Sequence, residues 1–72
     1  MKKTKKIKII LNGKTRSFQK ITSVYDLMRS LKISPDKVAI ELNKEIINKK
    51  IIKSLYLKNK DKIEIVHFIG GG

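Results

Sequence analysis

From Lys6 to Leu11 apolar and polar positions alternate, with Ile7, Ile9 and Leu11 on one side and Lys8 and Ile10 on the other. A period of two predicts a strand with one face turned to a core. Asn12-Gly13 follows, the pair that best tolerates positive φ in a two-residue hairpin turn. Thr15 to Gln19 is therefore expected to return antiparallel, with Phe18 in the core. The stretch "ITSVYDLMRSLK" changes period: Val24, Leu27, Met28 and Leu31 fall at i, i+3, i+4 and i+7, which predicts one amphipathic helix of about two turns. Ser23 is the expected N-cap, with Asp26 three residues on as a shortened capping box. A sheet needs a cover, so this stripe is read as core and not as a binding groove.

Ser34-Pro35-Asp36 turns the chain. Val38 to Leu42 is a third strand, Asn43-Lys44-Glu45 a turn, and Ile46-Ile47 a short apolar stretch. Between Asn48 and Asp61 the pattern is irregular, and Ile51, Ile52, Leu55 and Leu57 are expected to pin a loop or single helical turn onto the core. Lys62 to Phe68 is the last strand. The order hairpin, helix, strand, short strand, strand contains no repeat and no linker, so the fold class is α+β in one unit.

Composition changes the picture in three ways. Seventy-two residues allow only a small core, which argues against a large substrate pocket. No apolar run is long enough to cross a bilayer, and Lys8 interrupts the apolar part of "MKKTKKIKIILNG", so neither a membrane span nor a signal peptide is expected and the location is read as cytoplasmic. The chain has no cysteine, hence no disulfide, no zinc-thiolate site and no thiol of its own to carry sulfur. The net charge of +12 raises nucleic-acid binding, which phosphate contacts drive. The lysines are spread along the chain with no aromatic-rich strand of the kind that stacks RNA bases, and the charge is read as solvated surface with a steering field.

The motif with the most chemical content is "DKIEIVHFIGGG", an apolar strand running straight into Gly70, Gly71 and Gly72. A carboxylate acylates nothing until one oxygen becomes a leaving group, as adenylation by ATP makes it. The chain lacks a G-x-x-x-x-G-K-[ST] phosphate loop and any Asp/Glu/His cluster suited to a metal, so it is read as the substrate of a nucleotide-using enzyme and not as an enzyme. Glycines suit a tail that threads a narrow channel, because Cβ atoms would clash and restrict φ.

With "ILNGK" at the hairpin, "VAIELNKEII" in the middle and "DKIEIVHFIGGG" at the end, the chain resembles the ubiquitin-like β-grasp proteins. More narrowly, it resembles the ThiS-like sulfur carriers of thiamine biosynthesis. The resemblance implies a mixed four- to five-stranded sheet covered by one main helix, with 1–5 a basic extension, 6–69 the β-grasp domain and 70–72 a flexible tail. It implies that a ThiF-like enzyme adenylates Gly72 with ATP, Gly70 and Gly71 giving access, and that a persulfide donor replaces AMP to leave a thiocarboxylate for thiazole synthase. No bound cofactor and a monomeric free state are expected. Where the family often has glycine, Lys44 and Lys60 stand here, and altered turns are expected beside Asn43 and Asn59.

Ile63 and Ile65 should face the helix, leaving Val66 and Phe68 on the opposite face. With the first strand alongside, as in the β-grasp arrangement, Ile10 is expected close to them, and Ile10, Val66 and Phe68 form the candidate docking patch. His67 is placed on the core side, partly buried and structural. A molybdopterin synthase small subunit and a ubiquitin-like protein modifier share the adenylate chemistry and stand as alternatives. The proline-containing segment before the last glycines that marks the former is absent from "HFIGGG".

Overall fold

The computed structural model describes residues 6–68. Strand β1 (Ile7–Leu11) and strand β2 (Lys14–Phe18) form the expected hairpin, in register from Ile7 opposite Phe18 to Leu11 opposite Lys14. Asn12 and Gly13 make the turn with φ of 48° and 84°, the left-handed pair that matches the twist of the flanking strands. Helix α1 (Val24–Leu31) follows, then a 3-10 turn at Pro35–Lys37, strand β3 (Val38–Leu42), the two-residue strand β4 (Glu45–Ile46), a second 3-10 turn at Lys49–Ile51 and strand β5 (Lys62–His67). The sheet has five strands in the order β2-β1-β5-β3-β4. β5 lies centrally, parallel to β1 and antiparallel to β3.

One face of the sheet and the apolar stripe of α1 bury each other. Ile9, Val24, Leu27, Met28, Val38, Ile40 and Ile63 are almost completely removed from water, joined by Ile7, Leu11, Ile52, Leu57 and Ile65. All but Ile52 and Leu57, which belong to the irregular segment, lie in elements that the periods of two and 3.6 predicted, and Leu31, the last member of the helical stripe, is half-buried. Phe18 is only half-buried, at the margin of that core, because β2 is an edge strand that the short helix barely covers. Ile51, expected to pin the irregular segment, is 46% exposed, and Ile52 and Leu57 do the anchoring instead.

The segment between β4 and β5 is ordered by the needs of the helix start. The first backbone N–H groups of a helix have no partner within it. Here Val24 N–H donates to Leu55 C=O (2.8 Å) and Tyr25 N–H to Ile52 C=O (3.1 Å). Asp26 N–H donates to Ser23 Oγ (3.0 Å), and the Asp26 carboxylate accepts from Ser23 N–H (3.2 Å). The capping box is complete, and the loop carbonyls supply what it leaves over.

At the two family glycine positions the lysines take the glycine conformation: Lys44 has φ 72° and Lys60 has φ 77°. Each turn thus holds an L-residue in the left-handed region, where the side chain carries the strain. At the second turn it is Lys60, not Asn59, that goes left-handed; Asn59 Oδ1 instead accepts from Lys8 N–H (2.9 Å). An L-residue held there costs about 1–2 kcal/mol, partly offset by the greater freedom glycine has in the unfolded chain. Lys44→Gly and Lys60→Gly are each expected to stabilise the protein by roughly 0.5–1 kcal/mol, read as a higher urea midpoint. Lys60→Ala removes the charge and keeps the strain, so a comparable rise in that variant would assign the gain to charge and refute the backbone explanation.

Candidate functional site

β5 delivers the chain to its glycines, so the candidate site is the end of β5 and what surrounds it. Gly70, Gly71 and Gly72 lie outside the described residues. Ile63 and Ile65 point into the core, while Val66 and Phe68 are 58% and 57% exposed on the open face, as the alternation requires.

Ile10 is on that same face but not in that place. The β1–β5 register sets Ile10 beside Lys62 and Leu11 beside Ile63. Val66 is four residues further along β5, about 13 Å at strand rise, with Lys62 and Glu64 between. β1 has already turned away at Leu11, so nothing from it reaches the level of Val66. The neighbour that does is Ala39, directly opposite Val66 on β3. Ile46 on β4, 69% exposed, adds a further apolar position beside Glu41. Apart from the isolated Ile46, the open face carries two separate apolar spots among the described residues. One is Ile10 among lysines. The other is Val66, Ala39 and Phe68 at the tail end of β5, with the opposed carboxylates of Glu41 and Glu64 between them and Ile46.

The departure of the chain from the sheet is held on its β3 side. Phe68 N–H donates to Lys37 C=O at 3.1 Å, extending the ladder past the last strand residue. Lys49 Nζ donates to Pro35 C=O (2.9 Å) and Val38 C=O (2.6 Å) and stands 5.1 Å from the centre of the Phe68 ring. One ammonium thus ties the 3-10 turn and the start of β3 to the aromatic ring from which the tail leaves, by charge-assisted hydrogen bonds and a cation–π contact. In "NKKIIK" nothing marks Lys49 apart from its neighbours, and no sequence signal could have found it.

His67 is exposed, not partly buried. Alternation does put it on the core face, in register with Val38. With β1 ended at Leu11, however, that flank of β5 has no neighbouring strand and the imidazole meets solvent.

A model of the ThiS family matches residues 9–72 of the chain. The sulfur carrier protein ThiS of Bacillus subtilis is 44% identical over 63 residues, covering 86% of this chain and 96% of that protein. The thiazole synthases of Magnetococcus marinus and Paramagnetospirillum magneticum are each 39% identical over 66 residues, which is 92% of this chain but only 20% of theirs. The chain thus spans about a fifth of those enzymes. The crystal structure of the thiamine biosynthesis protein ThiS from Geobacter metallireducens superposes with a TM-score of 0.78 at 28% identity, covering 92% of this chain and all (100%) of that one. A five-stranded β-grasp sheet with one covering helix, a family match running unbroken from β1 through the three glycines and near-complete mutual coverage with a ThiS protein lead to one conclusion: the chain belongs to the ThiS family.

Proposed function

We propose that this protein is a sulfur carrier of thiamine biosynthesis, with Gly72 as the carrying residue. The observation that supports this most strongly is that the family match extends through Gly72 and is not confined to the folded domain. On this reading a ThiF-like partner binds ATP, and the Gly72 carboxylate attacks its α-phosphorus, releasing pyrophosphate and leaving an acyl adenylate. The terminal sulfur of a persulfide donor then displaces AMP to give an acyl disulfide, a second thiol of the partner attacks the donor sulfur and forms a disulfide with it, and the C-terminal thiocarboxylate so released carries the sulfur to thiazole synthase. The chain has no cysteine, which supports a carboxylate and not a thiol as the group that takes up sulfur on this reading. Stretches of similar sequence within two thiazole synthases support that enzyme as the acceptor. Gly70 and Gly71 serve access, since a buried nucleotide must be reached by backbone without Cβ atoms.

The test is intact mass after incubation with ATP, a ThiF-like enzyme and a sulfide source. A product heavier by the difference between one sulfur and one oxygen is expected. A chain that binds the enzyme and gains no mass, or that appears joined to lysines of other proteins, would replace the carrier reading with a binding module or a protein modifier.

The apolar spot of Val66, Ala39 and Phe68 is the docking surface on this reading, because it borders the tail and an enclosed reaction centre must be sealed from water. Phe68→Asp is expected to weaken binding to the activating enzyme on the order of tenfold or more by burying a charge in the contact. The free protein should tolerate it, since Phe68 is more than half exposed and the Lys49 ammonium lies beside it. Titration calorimetry against the enzyme, with circular dichroism as control, measures both. Unchanged affinity would remove Phe68 from the interface. Ile10 stands apart from this surface, and Ile10→Asp is expected to leave the affinity within about twofold, the outcome for a residue outside the buried centre of a contact.

A further inference from the structure

The flank of β5 that faces β1 runs out of partner before the strand ends. Ile10 N–H donates to Asp61 C=O and Asn12 N–H to Ile63 C=O, both at 2.9 Å. One step further, Ile65 presents its N–H and C=O to the place where β1 would continue had it not entered the hairpin turn. The side chain of Asn12 fills that place. Its Oδ1 accepts from Ile65 N–H at 2.8 Å and its Nδ2 donates to Ile65 C=O at 3.3 Å. A carboxamide has the same donor and acceptor set as a peptide unit, so Asn12 pairs with Ile65 as a strand residue would. The contact joins positions 53 apart in the chain.

We propose that Asn12 is a positioning residue for the tail: its amide prolongs the β1–β5 ladder by one pair and fixes the line along which β5 hands the chain to Gly70–Gly72. Turn formation explains an asparagine with φ 48° but asks nothing of the side chain. An Asx turn would have used the amide on its own local backbone, and here both amide atoms go to β5. On the opposite flank Phe68 N–H and the Lys49 ammonium hold the strand's end to the 3-10 turn and to the start of β3. β5 is thereby held on its β1 side as far as Ile65 and on its β3 side as far as Phe68, so Val66 to Phe68 leave a strand that is clamped on both flanks at Ile65. A short glycine tail reaches a target only from a fixed base, because free pivoting of that base spreads its end over orientations that do not react.

This rests on the sulfur-carrier reading for its functional consequence, and the experiment separates the two. Asn12→Gly keeps the left-handed turn at no steric cost and deletes the amide. Asn12→Asp keeps an acceptor for Ile65 N–H but sets a carboxylate oxygen against Ile65 C=O. In Asn12→Gly the Ile65 amide should exchange with solvent at least about tenfold faster while the buried Leu27 amide, bonded to Ser23 C=O, keeps its protection, which marks local release and not global unfolding. The 15N order parameters of Val66 to Phe68 should fall. With the activating enzyme, kcat for thiocarboxylate formation should drop on the order of tenfold with KM unchanged, because docking is intact and only delivery of the tail suffers. Asn12→Asp should fall between wild type and the glycine variant in both readouts. Equal loss of protection at Ile65 and Leu27 would make the amide a global stabiliser only, and would overturn the proposal. So would order parameters that do not change, or a loosened strand with unchanged kcat. If the wild-type chain itself gains no sulfur, the carrier reading fails, and the exchange and relaxation results alone decide whether Asn12 holds the strand.

Discussion

One alanine added after Gly72 is expected to lower the rate of thiocarboxylate formation by about a hundredfold or more while leaving the fold unchanged. The addition moves the reactive carboxylate outward by up to about 3.6 Å and sets a Cβ beside the carbon to be adenylated. Displacement of only about 1 Å from line with the attacked phosphorus is enough for a loss of that order. The core, by contrast, ends at Ile65, so melting temperature and circular dichroism should match those of the original. The measurement is the yield of sulfurated product by intact mass over time for the two proteins under the same enzyme. Sulfuration of the extended chain at its new end, at the original rate, would show that the glycines are only a permissive end and would remove Gly72 from its role.

The second large effect is on stability. Leu27→Ala is expected to cost about 2–4 kcal/mol, the range for deleting a fully buried leucine whose surroundings close only partly over the cavity. Leu27 has no exposed surface and lies at the centre of the helix stripe against the sheet. Alanine is the best helix former, so the loss reports burial and not helix propensity. A 72-residue domain has a total stability of roughly 4–11 kcal/mol, and at about 4–8 °C per kcal/mol the melting temperature should fall by about 8 °C or more. Leu31→Ala, at a half-buried position one turn later, should cost less than half as much on the same scale. Equal costs at the two positions would mean that the helix does not pack on the sheet as described.

The elements and their inward faces were legible because their determinants are local. Ile7, Ile9 and Leu11 alternate, Val24, Leu27, Met28 and Leu31 follow a helical stripe, and Ser23 caps through a residue three positions away. Asn12-Gly13 specifies its turn by φ alone. The glycine run lies outside the described residues, and the chemistry read from it stands as the proposal that the family match through Gly72 supports.

What alternation leaves open is where along its neighbour a strand sits. Sliding β1 past β5 by two residues returns every side chain to its own face, so the pattern assigns Ile10 and Val66 to the same side and is blind to the distance between them. Only the tertiary register, with Ile10 at Lys62, separates the two. The same end of β1 exposes His67 and gives the Asn12 amide its partner in Ile65. Lys49 reads as one more solvated lysine until folding brings the carbonyls of Pro35 and Val38 to its ammonium. Period and capping are written within a few residues of one another and were determined by the sequence itself. Contacts between residues far apart in the chain depend on how the elements are stacked and shifted, and those the tertiary structure alone decided.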